Sequence, residues 1–199
     1  MKNTYSNKIL ISSLLLISII SKAKANITIE ASDEIKANIQ RWISEIKENS
    51  FGKQTLNEII KCGHNVKIIH SKTARVSAGQ TGAPTTRNLT NGIGEDVYIK
   101  FDGTINDIGS HYTYDFDGER LKFTAVENLF HELSHAKHMS CGTWQYADSE
   151  GQAIRDENEF RKIEQKDLKI DEIKLRYDIT GCSYEESEEE CLDFFEDDD

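Results

Sequence analysis

The sequence is short of several things, and each shortage narrows the reading. It holds a single proline, Pro84, so its helices and strands can run without the usual breaker. No C-x-x-C spacing occurs among its four cysteines, which removes the common cysteine-based metal sites. Its one long apolar run, Ile9 to Ile20, is twelve residues, too few to span a bilayer. Positive charge is scarce: 24 Lys and Arg stand against 35 Asp and Glu, a net charge of −11. A chain of that sign is a poor binder of nucleic acid and is repelled by anionic membranes. There is no internal repeat.

The apolar run is itself informative. Lys2 and Lys8 give a basic start, and Ala23-Lys24-Ala25 fits a small-x-small cleavage site. We expect a secretory signal peptide over residues 1–25, cleaved after Ala25, and a secreted product. Removing its four lysines and no acid takes the net charge to −15. The remaining chain suits one domain, expected over residues 26–178, with an acidic, cysteine-bearing tail over 179–199. It should be a monomer without stable membrane association. Cys62, Cys141, Cys182 and Cys191 all lie beyond the cleavage point. In an exported protein they suggest two disulfides, Cys62–Cys141 across the fold and Cys182–Cys191 locally.

Periodicity supplies the elements. Ile35, Ile39, Trp42, Ile43 and Ile46 recur at helical spacing and predict a helix over 33–48, capped by Ser32 or Asp33. Ser50-Phe51-Gly52 interrupts the pattern before a second helix at about 53–61, ended by Gly63. Asn65 to His70 and Asp96 to Phe101 read as strands. Between them, residues 71–95 are rich in Ser, Thr, Gly and Asn and read as a long functional or mobile loop. His111 to Phe116 and Leu121 to Phe123 flank Asp117-Gly118, a hairpin signal. The acids of that turn lack the remaining ligands of a calcium loop. A third helix is expected from about Thr124 to Met139. A fourth runs from Ser149 to about Lys166, with Ser149 and Gln152 as a capping box and more helix plausible through 168–177. The fold class is α+β: a small mixed or antiparallel sheet packed against one chemistry-bearing helix, in a single domain.

That third helix carries His131-Glu132-Leu133-Ser134-His135, an H-E-x-x-H pattern. Residues four apart share a helix face, so both imidazoles can reach one metal ion. The Glu beside the first His can then take a proton from water. Val126, Leu129, Phe130, Leu133 and Ala136 form an apolar stripe roughly opposite His131, His135 and His138. Uncharged Leu133, Ser134 and Ala136 are expected of a helix buried on both sides, whereas a chance match on a solvated helix would carry charge there. One zinc ion per chain is therefore expected on His131 and His135, with Glu132 as general base.

A third ligand must come from elsewhere. His138 lies seven residues from His131, about 10 Å along the axis, too far for one ion on a straight helix. No glycine between His135 and His138 bends the chain, and the longer H-E-x-x-H-x-x-G-x-x-H form is absent. The fourth helix is the better source. Glu150 on its first turn leads, Glu157 is the alternative, and Asp148 and Asp156 follow. Glu157 has two other uses: an i,i+4 ion pair with Arg161, or orienting a ligand histidine. Tyr146, His138 and Arg155 are candidates for contacts to substrate or transition state. A peptide substrate would add to an edge strand upstream of the metal helix.

The motif His131-Glu132-Leu133-Ser134-His135-Ala136-Lys137-His138, followed by Gly142-Thr143, resembles the HELxHAxH…G of the NleD-type zinc metallopeptidases among bacterial type III effectors. Glu150-x-x-Ala153-Ile154-x-x-Glu157-Asn158-x-Phe160-Arg161 is similar to a second block of those proteins, and the resemblance spans roughly residues 33–165. It implies a zinc endopeptidase acting on protein, in some members on host signalling kinases. It also implies His131 and His135 as ligands, Glu132 as base and Glu150 as third ligand. The signal peptide and cysteine-bearing tail depart from the effector pattern and fit a two-step export route better than type III delivery. The competing classes are a secreted zinc-binding protein without turnover and a zinc hydrolase of a non-protein substrate.

Overall fold

Helical stretches with one apolar face and short β-branched stretches assemble, among the described residues, into two small sheets and four α-helices. The computed structural model describes residues 25–72, 79–107, 111–170, 172–177 and 182–183. The signal peptide, a Cys182–Cys191 pairing and the acidic tail lie outside the described residues.

The first sheet has the order β1-β2-β4-β3. Strands β1 (Ile27–Glu30), β2 (Val66–His70) and β4 (Val97–Phe101) are parallel, with Val66 opposite Ile27 and Val97. Parallel neighbours need a crossover. Helices α1 (Asp33–Glu48) and α2 (Ser50–Cys62) provide it between β1 and β2. The interruption between these helices is a single residue, Asn49, rather than 50–52. Its side-chain oxygen accepts from the amides of Phe51 and Gly52, so α2 starts at Ser50, and its Nδ2 donates to the Phe160 carbonyl. A glycine is needed at 52, because a Cβ there would lie 2.1 Å from the Ile46 carbonyl oxygen.

Strand β3 (Gly79–Gly82) lies inside the stretch expected to be loop. Gly-Gln-Thr-Gly has little strand propensity. Antiparallel pairing with β4, Thr81 opposite Ile99, forms it instead. The second sheet is the expected hairpin, β5 (His111–Tyr114) and β6 (Arg120–Phe123), with Gly118 in the left-handed region at φ 76° and β7 (Cys182–Ser183) beside β5.

Helix α3 (Ala125–Cys141) begins at a capping box: Thr124 accepts from the Glu127 amide, and Glu127 accepts from the Thr124 amide. It ends at Gly142, left-handed at φ 69°. Nearly all of its residues are buried, including Lys137 at 8% exposure. Helix α4 (Ser149–Asp167) packs against it after a short 3-10 turn, Tyr146–Asp148. The expected Ser149–Gln152 capping box does not form. Gln152 instead donates to the Thr143 carbonyl and accepts from the Gln145 amide, tying α4 to the turn that leaves α3. Among the described residues, helix does not continue beyond α4 either. Residues 172–177 run as a strap in which Gln165 accepts from the Lys174 amide and Asn158 bonds both backbone groups of Arg176. The expected Cys62–Cys141 disulfide is present and fastens the end of α2 to the end of α3. One apolar cluster, from Ile39 and Trp42 through Ile68 and Ile99 to Leu129, Leu133 and Phe160, joins α1–α4 to the first sheet.

Candidate metal centre

The helical spacing of His131 and His135 brings their rings together on α3, and α4 brings a carboxylate to the same point. The two Nε2 atoms are 3.1 Å apart. Glu150 sits with Oε2 3.2 Å from His131 Nε2 and Oε1 3.2 Å from His135 Nε2. Both histidines are buried, while the Glu150 side chain keeps 47% of its surface exposed, so the cluster opens to solvent on that side. These three residues form a group able to hold a metal ion.

A second carboxylate stands behind the first histidine. Glu157, with no exposed surface, accepts from His131 Nδ1 at 3.1 Å. It also pairs with Arg176 at 2.8 Å and Arg161 at 2.9 Å. Arg161 extends the network to Glu127 at 2.5 Å and to the Lys122 carbonyl. The expected i,i+4 pair of Glu157 with Arg161 therefore exists, and so does the orienting bond to His131. Holding Nδ1 in this way turns Nε2 of His131 toward Glu150 and His135.

The charges respond to this arrangement. Burial pulls the His131 pKa down, but hydrogen bonds to Glu150 and Glu157 outweigh it and hold the ring at about 9. Burial likewise pushes Glu150 up, yet His131 and His135 bring it well below the usual carboxylate range. Glu157 is also held low: burial is overcome by Arg176 and Arg161 first, then by His131. Without metal the two carboxylates thus favour a proton on His131, and a cation bound by these ring nitrogens and Glu150 takes that proton's place.

A family model described as an effector protein peptidase, M91, matches residues 23–187. The chain belongs to the M91 peptidase family. The membership confirms the likeness to the NleD-type proteins seen in the motifs, and it makes peptide-bond hydrolysis the class of activity and protein the class of substrate. A comparison with curated proteins gives no match.

In this M91 peptidase the base candidate, Glu132, is 3% exposed and faces β3. The hydroxyl of Thr81 lies 2.5 Å from its Oε2. Asp156, one of the alternative ligands, is not in the metal group. It accepts from Ser134 at 2.5 Å, from His138 Nε2 at 3.1 Å and from Lys137. Burial pushes its pKa up, and His138, Lys137 and Ser134 together bring it to about 2. His138 also bonds Thr143 Oγ1 through Nδ1 at 2.9 Å, so both ring nitrogens are engaged. Asp148 pairs with Arg155 at 2.7 Å, and Tyr146 donates to the Thr86 carbonyl. Trp144 closes against the His135 ring, with centroids 5.3 Å apart.

Sequence reasoning missed Thr81, Arg176 and the Ser134–Lys137–His138–Asp156 cluster. Arg176 reaches Glu157 only because the strap folds back over α4, which no local pattern encodes. Thr81 carried one signal, its place in a long polar stretch between two strands.

Proposed function

We propose that this protein is a secreted zinc endopeptidase with a zincin-like active site on α3 and α4. The single observation that carries the reading is the donor spacing. Two ligands about 2.0–2.1 Å from one ion at the tetrahedral angle lie about 3.3 Å apart. The His131 and His135 Nε2 atoms lie 3.1 Å apart, and each is 3.2 Å from one oxygen of the Glu150 carboxylate, Oε2 and Oε1 respectively. Two imidazoles and a carboxylate are also the donor set of a catalytic zinc with one position left open.

His131, His135 and Glu150 would hold the ion. A bound zinc supplies Lewis acidity, which activates water near neutral pH and polarises the scissile carbonyl. Glu132 accepts a proton from the attacking water as its oxygen bonds to the carbonyl carbon. The same carboxyl then delivers that proton to the amine nitrogen as the C–N bond breaks, which leaves Glu132 ionised again. Glu157 keeps His131 in one tautomer and orientation. Strand β3, at one edge of its sheet and beside α3, would let an extended substrate segment pair by main-chain hydrogen bonds.

Export is supported by the signal-like segment before Ala25, since β1 starts at Ile27 and a mature chain beginning at Asn26 enters the fold at once. The Cys62–Cys141 disulfide is in keeping with an oxidising route. Glu132→Ala is the test. It should keep zinc and lose proteolysis, read by mapping new protein termini in an exposed host or competitor proteome. Cleavage retained by the variant would reject this role for Glu132.

A further inference from the structure

Two residues of β3 bear on Glu132, and together they distinguish its oxygens. Residues 79 and 81 point to the same face of the strand, toward α3. A Cβ on Gly79 would lie 2.4 Å from Glu132 Cγ and 2.7 Å from Oε1, so only glycine leaves the carboxylate its room. Thr81 Oγ1 is 2.5 Å from Oε2 and 3.1 Å from the Glu132 carbonyl oxygen. Among the described residues, Oε1 makes no hydrogen bond.

We infer that Thr81 is a positioning residue for the general base: its hydroxyl occupies Oε2 and leaves Oε1, in the space beside Gly79, to receive the proton from water. This rests on the proposed role of Glu132. A hydroxyl suits the task because it offers one donor and two acceptor sites. While Glu132 is ionised, Thr81 donates to Oε2. That bond fixes the carboxylate through Oε2 while Oε1 takes the proton. An apolar side chain of the same shape would leave Glu132 free to rotate.

The test is Thr81→Val beside Thr81→Ser, Gly79→Ala and Glu132→Ala, assayed on a fluorogenic peptide built from a mapped cleavage sequence. Zinc content and melting temperature are read on the same preparations. Hydrogen bonds to charged groups carry about a ten- to hundredfold effect. Thr81→Val should lose that much in kcat with KM within about twofold, zinc retained and Thr81→Ser near wild type. Gly79→Ala should also lose kcat and keep zinc. A kcat for Thr81→Val within about threefold of wild type, with Glu132→Ala inactive, overturns the inference alone. So does equal impairment of the valine and serine variants, which marks a packing role. An active Glu132→Ala overturns instead the reading on which the inference rests.

Discussion

Two glutamates seven residues apart on α4 meet the same histidine from opposite sides, and replacing each by alanine should separate ligand from support. Glu157 has no exposed surface and bonds His131 at 3.1 Å, Arg176 at 2.8 Å and Arg161 at 2.9 Å. Without it, Arg161 keeps Glu127 at 2.5 Å, but Arg176 loses this buried partner. Removing one member of a buried ion pair costs about 3–5 kcal/mol. For a domain of this size each kcal/mol lowers Tm by about 2–4 °C, so metal-free Glu157→Ala should melt roughly 10 °C below wild type. Its zinc affinity should fall about 10- to 100-fold, the usual effect of deleting a group that orients a ligand histidine. Glu150 differs: its side chain is 47% exposed, and its contacts are the two ring nitrogens. Metal-free Glu150→Ala should stay within about 1 kcal/mol of wild type, as exposed pairs do, yet lose zinc more completely than Glu157→Ala. Thermal melts of metal-free protein and zinc titration against a chelator measure both quantities. The reasoning is refuted if metal-free Glu157→Ala melts within about 2 °C of wild type, or if Glu157→Ala abolishes zinc binding while Glu150→Ala retains it.

Further outcomes follow from other buried charges and from the crosslink. Asp156 titrates at about 2 in the fold against an ordinary 3.8, so its stabilisation is full above pH 3.8 and is lost as pH falls toward 2. Asp156→Asn should cost about 2 kcal/mol in urea unfolding at pH 7, with the gap to wild type narrowing below pH 4. Glu164 is shifted the other way, to about 7, by burial and by Glu127, with Arg161 opposing. Ionising it therefore destabilises the fold increasingly as pH rises from 4.5 to 7. Glu164→Gln should be more stable than wild type by about 2 kcal/mol at pH 8 and indistinguishable from it at pH 4, measured by the same unfolding. The Cys62–Cys141 bridge spans a separation of 79 residues. A double Cys→Ala variant should lose about 4 kcal/mol of stability, and reduction of wild type should lose about as much.

The parts of the fold written in local pattern were legible in the sequence. Ile39, Trp42 and Ile46 marked the buried face of α1, Asp117-Gly118 marked the hairpin, and Thr124 with Gly142 bracketed α3. His131 and His135 were legible for the same reason, since helical spacing alone brings them together. Glu150 could be ranked because a first-turn position on the next helix lies near the exit of α3. What escaped was set by tertiary pairing. Strand β3 has turn composition and exists through β4 and α3. Gln152 gave up a capping role for the Thr143 carbonyl. The strap at 172–177 looked helical, but Gln165 and Asn158 satisfy its backbone in an extended path. Arg176 and Asp156 find their partners across elements, at separations that no periodicity reports.

The most direct measurement is zinc per chain in the mature protein after loading with excess metal and removal of unbound ions. About one equivalent is expected in wild type, with the loss of most of it in His131→Ala, His135→Ala and Glu150→Ala. Less than about half an equivalent in wild type, or the same content in the three variants, would contradict a zinc centre on α3 and α4.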